Sequence, residues 1–382
     1  MKKILFIVPS LTVGGMERMQ VTLANALDNL GYSITIMTLN PVNTLAKELN
    51  KDVKVVYKPY KEFPIRCKLK YIWTFYDEGV WETRASSRAL HRYYVGKEKY
   101  DVEIAFFRGL PIKILGFKDK KAIHLAWVHN DFRKAVGFAN NFKSIKCVQK
   151  AYASYNKIVC VSSEARDGFK EVIGDTGNLK VIYNMLPVQD IIKKGQQKAE
   201  LEINRAKFHV VLVGRLLDEA KGQKRLIKVI SKLHDEGNDI SLALVGGGKD
   251  KNILQNEIYK CNATGYISMT DSQLNPYPYI KQADLAVCAS YYEGYNLTVA
   301  ESLILWVPVL STNCTVPNEI LDKGKYGKIV ENSENGLYIG IKEMINSPEL
   351  MEKYKRKAVE RQDFFCENKI LGQIVELIEG RK

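Results

Sequence analysis

Short apolar runs alternate with amphipathic segments along the first half of the chain. The runs that predict β-strands are KILFIVP, SITIMTL, VKVVY, VEIAFF, AIHLAWV, KIVCVS and LKVIY. Between the first two runs, apolar residues recur at helical spacing, and Gly31 follows as a suitable residue for the end of a helix. Near-continuous apolar strands separated by amphipathic helices are typical of a parallel sheet that is covered on both faces.

The same pattern starts again after a polar stretch, 187–200, which we interpret as a linker. The strands predicted in the second half are FHVVLVGRL, ISLALVGGG, LAVCAS, VPVLST and GKIVE. We therefore predict an α/β protein of two doubly wound, Rossmann-like domains, 1–186 and 187–364, facing each other across a cleft. The last helix, within 365–382, is expected to cross back to the first domain. Ligands of such sheets bind beyond the carboxyl ends of the strands, so the cleft is the expected site.

The excess positive charge is concentrated in one stretch of the first half of the chain. The formal net charge is +14, and residues 51–150 carry 22 Lys and Arg against 10 Asp and Glu. The same stretch contains several aromatic residues: Tyr71, Trp73, Phe75, Tyr76, Trp81, Tyr93 and Tyr94. A basic surface of this kind favours anionic partners such as phosphorylated substrates, nucleic acid or anionic lipid.

The cysteines and the apolar runs argue against a zinc or redox protein, a secreted protein and a membrane-spanning protein. The seven cysteines are scattered and form no CxxC pair, which disfavours a zinc knuckle and a redox pair. The run after Met1 breaks at Pro9 and is followed by glycines and charges, so we interpret it as a core strand rather than a signal peptide. No apolar run reaches the ~18 residues of a transmembrane helix. We expect a cytoplasmic protein.

Two turns lie where a parallel sheet can bind an anion. Gly14 and Gly15 follow the first strand and precede the first helix, but they do not form GxGxxG, and GGGK at 246–249 lacks the spacing of a P-loop. Arg215 ends a buried strand, and Lys221 follows six residues later, just before a helix. Two cations at the mouth of a sheet suit a diphosphate, although a lone Arg or Lys in such a place is more often a solvated surface charge.

The stretch EGYNLTVAE places Glu293 and Glu301 eight positions apart at a strand-to-helix turn. The amides of 294–298 would open a helix N-terminus, which favours anions. A carboxylate beside a phosphate would be repelled, so we expect the two glutamates to point past it in opposite directions and to accept hydrogen bonds from hydroxyls. A ligand with sugar, diphosphate and ribose in that order is a nucleotide sugar.

Together these stretches resemble the retaining, GT-B-fold glycosyltransferases of family four, the glycosyl transferases of group one. The resemblance covers most of the chain. It rests on GGMER, the GRL…KG pair, NPYPYIKQADLAVCASYYEGYNLTVAE with its Glu-x7-Glu spacing and upstream Asp284, and VPVLSTNCTVPNEIL. It implies a retaining, metal-independent hexosyltransferase that uses a nucleotide-diphosphate sugar as donor substrate and needs no cofactor.

The resemblance also implies residue roles. The amide of Gly15, in the Gly14–Gly15 turn, and the side chains of Arg215 and Lys221 would hold the donor diphosphate. Backbone amides of the turn would bind the phosphate and the sugar: those of Gly294, Tyr295, Asn296 and Leu297.

Glu293 would contact the donor sugar, and Glu301 would contact the ribose. His129, in WVHND, matches the family's histidine near the reacting sugar. Glu293 and His129 are therefore the catalytic candidates. The sequence departs from the family pattern at Ser302, where Ala is usual, and in VGGGKDKN, which lacks Gly-Glu-Gly. Both departures lie where donor preference is set.

Family association implies a glycan or lipid-linked glycan acceptor in bacterial surface polysaccharide synthesis. We expect the basic region 51–150 to contact the inner face of the membrane peripherally.

Two alternative functions remain open. A GT-B-fold sugar-nucleotide epimerase would share the cleft but would need further acid/base carboxylates. A nucleic-acid-binding protein would use the basic region and its aromatics, but it leaves Arg215, Lys221 and the glutamate pair unexplained.

Overall fold

The structure is a computed structural model that describes residues 1–59, 80–119, 121–133, 139–201, 203–314 and 317–380. The chain divides into two compact units. Unit 1 is Met1–Met185 with Asn368–Lys382, and unit 2 is Leu186–Glu367. The boundaries expected from the sequence, 186/187 and 364/365, differ from these divisions by one and three residues.

Unit 1 is built on a parallel sheet. Its strands are β1 (Lys3–Val8), β2 (Ser33–Thr38), β3 (Lys54–Tyr57), β4 (Val102–Ala105), β5 (Ile123–Val128), β6 (Lys157–Cys160) and β7 (Leu179–Val181). Their order across the sheet is β3-β2-β1-β4-β5-β6-β7. In β1, every residue from Ile4 to Val8 is fully buried, as a strand covered on both faces requires.

Unit 2 repeats the arrangement. Its strands are β8 (Phe208–Val213), β9 (Ile240–Val245), β10 (Ile267–Met269), β11 (Leu285–Cys288), β12 (Val309–Thr312) and β13 (Lys328–Val330), in the order β10-β9-β8-β11-β12-β13. The predicted fold class, two doubly wound parallel sheets, is confirmed. The sequence pattern missed β10, because three residues are too few to show a period.

Helices connect the strands in both units. In unit 1 they are α1 (Gly15–Asn29), α2 (Val80–Arg84), α3 (Ser87–Tyr94), α4 (Leu110–Leu115), α5 (Ile145–Tyr152) and α6 (Ser163–Val172). Unit 2 adds α7 (Val188–Gly195), α8 (Asp218–Lys221), α9 (Gln223–Asp235), α10 (Lys251–Lys260), α11 (Tyr277–Lys281), α12 (Leu297–Ile304), α13 (Pro317–Ile320), α14 (Glu334–Asn346) and α15 (Pro348–Glu360). The last helix is α16 (Glu367–Ile378), and two 3-10 turns lie at Thr44–Glu48 and Gln362–Phe365.

The stretch expected to be a linker contains a packed helix, and the end of the last helix packs on unit 1. The polar stretch 187–200, which the sequence indicated as a linker, contains α7, whose Ile191 is fully buried and whose Gly195 packs on Leu305.

The end of α16 contacts unit 1: Lys2 Nζ lies 2.9 Å from the carboxylate of Glu379, and Tyr32 donates a hydrogen bond of 2.8 Å to the same group. None of the helices in the described part of the chain combines the length and apolar character that crossing a bilayer requires.

The basic, aromatic-rich stretch is only partly visible. Residues 60–79, which include Tyr71, Trp73, Phe75 and Tyr76, lie outside the described residues. In α3, Tyr94 is buried and Tyr93 packs against the core of unit 1. These two rings therefore stabilise the fold rather than form an exposed aromatic surface.

Candidate functional site

In unit 2, the loop after β8 carries both cations that the sequence singled out. Arg215 is exposed and lies two residues after the end of β8, and Lys221 ends the short helix α8. The next residue, Gly222, has φ +62°, and a Cβ there would meet the carbonyl oxygen of Ala289 and lie 2.7 Å from Arg225 Nε. Glycine is therefore needed for the chain to turn from α8 into α9 while touching the end of β11.

Lys221 meets Glu293 although 72 residues separate them. Its Nζ lies 2.5 Å from Glu293 Oε1. Two further groups donate to the same oxygen, Ser290 Oγ at 2.5 Å and Asn296 Nδ2 at 3.1 Å. The side chains of Lys221 and Glu293 are only 26% and 9% exposed, so this cluster, Lys221-Ser290-Glu293-Asn296, is well ordered by its own contacts.

The cluster differs from the expectation that Glu293 would point away from the diphosphate site. Its carboxylate contacts the cation assigned to that site, because opposite charges in a poorly solvated position attract strongly. Burial alone would lower the pKa of Lys221, but the Glu293 carboxylate outweighs this effect, and the net pKa lies above the ordinary value. Lys221 is therefore a firmly charged ammonium group.

Asn296 also starts the helix that follows. Its Oδ1 accepts a hydrogen bond of 3.1 Å from the amide of Val299, which makes it the N-cap of α12. Thr298 Oγ1 donates to the carbonyl oxygen of Val213 at 3.2 Å and so ties the first turn of α12 to the end of β8. The helix start that includes Gly294, Tyr295 and Leu297 is thereby held beside the loop of the two cations.

Glu301 lies one turn further into α12 and is 7% exposed. Tyr277, from α11, donates to its Oε1 at 3.3 Å. The second glutamate of the motif is thus oriented by a phenol, while the first is oriented by Lys221, Ser290 and Asn296. Asp284, upstream of the motif, accepts a hydrogen bond of 2.7 Å from the amide of His209 and joins the starts of β8 and β11.

The sequence analysis did not identify Arg225, whose side chain holds the backbone at the end of β11, where the Glu293 turn begins. This buried side chain donates from Nε at 3.0 Å and from Nη2 at 2.5 Å to the carbonyl oxygen of Ala289. It also donates to Asn332 at 2.7 Å and lies 3.9 Å from the ring centre of Tyr291. An arginine on an otherwise amphipathic helix gives no sequence signal for this role, because its partners lie more than 60 residues away.

The glycine stretch 246–248 has a packing role in the same loop cluster. Gly246 has φ +149°, and a Cβ at this position would collide with the carbonyl oxygen of Gly214. A Cβ on Gly248 would likewise collide with the backbone of Leu216. These glycines allow the loop after β9 to approach the loop that presents Arg215.

In unit 1, His129 directly follows β5 and is 9% exposed. Its Nε2 lies 2.8 Å from the carbonyl oxygen of Phe106, which can only accept, so Nε2 carries the proton. Nδ1 is then an acceptor, and among the described residues it has no hydrogen-bond partner. Burial lowers the pKa of His129 to about 4, so the ring is neutral near pH 7.

Gly14 and Gly15 lie at the start of α1, in the same unit. Gly14 is the N-cap in an extended conformation, and Gly15 is exposed at the first helical position. A Cβ on Gly14 would collide with the carboxylate of Glu17, a buried side chain that folds back over the first turn. The candidate residues therefore form two groups, Gly14, Gly15 and His129 in unit 1 and the others in unit 2.

Two family models match this chain. Residues 13–190 match the model described as Glycosyltransferase Family 4, and residues 193–361 match the model described as Glycosyl transferases group 1. An uncharacterized glycosyltransferase of Methanocaldococcus jannaschii is 27% identical over 293 residues, which are 67% of this chain and 71% of the relative.

A second relative has a named activity. The N-acetylgalactosamine-N,N'-diacetylbacillosaminyl-diphospho-undecaprenol 4-alpha-N-acetylgalactosaminyltransferase of Campylobacter jejuni is 26% identical over 249 residues, 63% of this chain and 66% of the relative. Among solved structures, Anabaena HepE in complex with UDP and glucose superimposes with a TM-score of 0.75 at 17% identity, covering 99% of this chain and 100% of HepE. At that identity the likeness concerns the fold.

Proposed function

Because this chain belongs to the GT-B glycosyltransferases, we propose that it transfers a sugar from a nucleotide-diphosphate sugar to a glycan or lipid-linked glycan, with retention of the anomeric configuration. The observation that carries the donor assignment is the cluster Lys221-Ser290-Glu293-Asn296 at the start of α12. It combines a fixed cation, an oriented carboxylate and, through the N-cap Asn296, the start of a helix. These are the groups that a diphosphate and a neighbouring sugar require.

In this proposal Lys221 and Arg215 bind the diphosphate. Lys221 is charged and held in place, whereas Arg215 is an exposed, forked donor at the end of β8. Negative charge grows on the leaving diphosphate as the glycosidic bond to it breaks, and cations already in position stabilise that charge without reorganisation. The two side chains and the amides of 294–297 thereby take the part that a divalent ion plays elsewhere.

Glu293 orients the sugar rather than attacking it. Three donors converge on its Oε1, and a carboxylate oxygen that accepts several hydrogen bonds is a weak nucleophile. The Glu293 carboxylate also accepts a hydrogen bond from a hydroxyl of the donor sugar. Glu301, oriented by Tyr277, accepts from the ribose hydroxyls in the same manner.

His129 contributes a neutral hydrogen-bond acceptor. Its Nε2–H is fixed by the Phe106 carbonyl, which leaves Nδ1 to accept a hydroxyl of the transferred sugar. A pKa of about 4 makes it a poor general base for the acceptor hydroxyl near neutral pH. The proton of the acceptor hydroxyl therefore passes to the leaving phosphate on the face where the new bond forms.

The identity of the acceptor is supported by one relative. The Campylobacter jejuni enzyme, by its name, acts on a sugar linked to diphospho-undecaprenol. We propose a glycan of this lipid-linked kind, in bacterial surface polysaccharide synthesis, and a peripheral contact of the basic region 51–150 with an anionic membrane surface. Co-sedimentation with anionic liposomes should be lost at high salt and absent with neutral liposomes. Equal recovery in the supernatant under all conditions would leave the basic region as an ordinary solvated face.

The donor assignment is tested by a thermal-shift panel of nucleotide sugars that differ in base and sugar. We expect one or a few donors to raise the Tm of the parent protein, and Lys221→Met to abolish that shift. Lys170→Met, which removes an exposed lysine of unit 1 paired with Asp175, should keep the shift. If no nucleotide sugar stabilises the parent protein, the donor assignment is wrong.

The stereochemistry is tested by the anomeric configuration of the product. NMR of the linkage formed from the donor found in the panel should show the configuration of the donor's own anomeric carbon. Inversion would contradict the proposed retention and the transfer of the acceptor proton to the leaving phosphate on the face where the new bond forms.

A further inference from the structure

Unit 1 contains a cluster of ligand atoms away from the residues discussed so far. His91 Nε2 lies 2.8 Å from Glu103 Oε2, and His124 Nε2 lies 3.1 Å from the same oxygen. All three atoms lie within 4.8 Å of one another. The side chains of Glu103 and His124 are 3% and 1% exposed, and that of His91 is 18% exposed.

The backbone fixes the positions of these residues. Glu103 and His124 are direct cross-strand partners in β4 and β5, so both side chains leave the same face of the sheet. His91 comes from α3, which Ser86 caps by accepting a hydrogen bond from the amide of Ala89. The ring of Phe117 packs edge-on against both histidines, with centroids 5.1 and 5.2 Å away, and shields the cluster from water.

Hydrogen bonding at His124 leaves a mismatch. Its Nδ1 lies 2.9 Å from the carbonyl oxygen of Leu115, which can only accept, so Nδ1 carries the proton of the neutral ring. Nε2 then presents a lone pair, yet it faces the carboxylate oxygen of Glu103, which is also an acceptor. With the ring neutral, the 3.1 Å contact between these two atoms is not a hydrogen bond, because neither atom carries a proton. A positive charge between the two atoms would resolve the mismatch.

We propose that His91, Glu103 and His124 bind a divalent transition-metal ion of the zinc class. Two imidazole nitrogens and one carboxylate oxygen are ligands that Zn²⁺ accepts, whereas Mg²⁺ and Ca²⁺ prefer sets of oxygen atoms. Ligands about 2.0–2.1 Å from a tetrahedral ion stand roughly 3.3 Å apart. The two contacts with Glu103, 2.8 and 3.1 Å, would therefore open slightly, and the two histidine nitrogens, which lie within 4.8 Å of one another, would adjust to the same spacing. The hydrogen bond from His124 Nδ1 to a backbone carbonyl is the outer contact that metal-binding histidines usually make. Water completes the coordination on the partly exposed side of His91.

The position of this site assigns it a structural role. Glu103 and His124 are the second residues of their strands, whereas the candidate donor and sugar contacts of unit 1 lie after the last residues of β1 and β5. The strand β5 rises about 3.3 Å per residue, which separates His124 from His129 by roughly 16 Å. The ion would join α3 to the sheet and stabilise unit 1 without touching the donor.

The experiment uses the full chain, free of any affinity tag and stripped of metal, and titrates it with Zn²⁺ alone. We expect one equivalent to bind by calorimetry and the Tm to rise by ~5–10 °C at a hundredfold excess of Zn²⁺ over its dissociation constant. Co²⁺ should produce the intense visible absorption of a tetrahedral site. Binding that fails to reach one equivalent at micromolar Zn²⁺ would overturn the proposal.

Two variants locate the ion. His91→Gln changes the most exposed ligand, and Glu103→Gln keeps the shape of the carboxylate, so both should fold; each should weaken Zn²⁺ binding by at least ~100-fold. His234→Gln, which changes an exposed histidine stacked on Tyr266, should bind like the parent. Unchanged affinity in the first two variants would place any bound zinc elsewhere. If NMR instead shows a proton on His124 Nε2 in the presence of saturating Zn²⁺, the cluster is a charged hydrogen-bonded triad and the proposal fails.

Discussion

The ammonium group of Lys221 shares one carboxylate oxygen of Glu293 with Ser290 and Asn296. This single contact joins the loop after β8 to the Glu-x7-Glu stretch. It gives one side chain two tasks: it orients the carboxylate, and in the proposed mechanism it stabilises the leaving diphosphate. A substitution of Lys221 therefore tests the proposed transfer chemistry most directly.

Lys221→Met should lower kcat by ~10²–10³-fold, because one well-placed donor to a developing anion contributes about 3–4 kcal/mol to the transition state. The rate of sugar transfer at saturating donor is the measurement. Lys170→Met is the matched control, since Lys170 and Asp175 form a surface pair whose side chains are 42% and 57% exposed. We expect less than a ~2-fold change for the control. A Lys221→Met enzyme that is folded by circular dichroism and retains near-normal kcat would refute the role.

Two buried histidines should make stability depend on pH. Burial lowers the pKa of His129 to about 4, and burial together with Arg205 lowers that of His209 to about 4, whereas the ordinary value is 6.5. The folded state then binds fewer protons than the unfolded state, so stability is complete above pH ~6.5 and falls as the pH drops towards 4. The slope reaches about 1.4 kcal/mol per pH unit for each histidine.

Urea unfolding between pH 4.5 and 7.5 measures this slope. His129→Gln and His209→Gln should each reduce it, and His234→Gln, at an exposed position, is the control. An identical slope in the parent and in both buried-site variants would show that these rings do not titrate as described.

At the scale of elements, the turn between α8 and α9 sets the distance from the β8 loop to the end of β11. Gly222 combines a positive φ of +62° with a close approach to Ala289 and Arg225. The positive φ and the carbonyl of Ala289 are backbone features, so the turn depends on the absence of a side chain at this position.

Gly222→Ala should therefore lower the free energy of unfolding by about 2–4 kcal/mol, the sum of backbone strain and overpacking. It should also weaken donor binding, because Lys221 precedes it. Gly31→Ala separates the two causes, since Gly31 has φ +87° but open space around its Cβ. We expect a loss of only about 1 kcal/mol there. Denaturant melts of the two variants give the comparison, and equal losses would mean that the contact with Ala289 is unimportant.

In the complete protein, the proposed transfer chemistry and the proposed metal site predict different effects of chelation: the first concerns the rate of sugar transfer, and the second concerns the Tm. Transfer relies on Lys221, Arg215 and backbone amides, so excess EDTA should leave the rate at 25 °C unchanged. The same treatment should lower the Tm by several degrees if His91, Glu103 and His124 bind zinc. Activity and Tm measured on one sample separate the two ideas. Loss of activity restored by Mn²⁺ would contradict the transfer mechanism, and an unchanged Tm would contradict the metal site.

Much of the fold could be predicted because strand and helix periods are local properties of the chain. Twelve apolar runs coincide with strands of the two sheets, and the start of α12 falls within EGYNLTVAE. Short elements escaped prediction for the same reason. The strand β10 has only three residues, and α7 lies in a polar stretch whose two buried residues, Ile191 and Gly195, show no helical period in the sequence.

The fold class, the residue types at the ends of the strands and the spacing of Glu293 and Glu301 follow from the sequence, because each depends on local stretches of the chain. Which side chains contact one another does not follow from any local stretch. The pairing of Lys221 with Glu293, the support from Arg225 and the contact of His91 with Glu103 and His124 depend on strand order and helix packing. Glu103 shows the reason most clearly: in the sequence it is one polar residue inside an apolar strand, and its two partners are brought to it by the register of β4 with β5 and by the packing of α3.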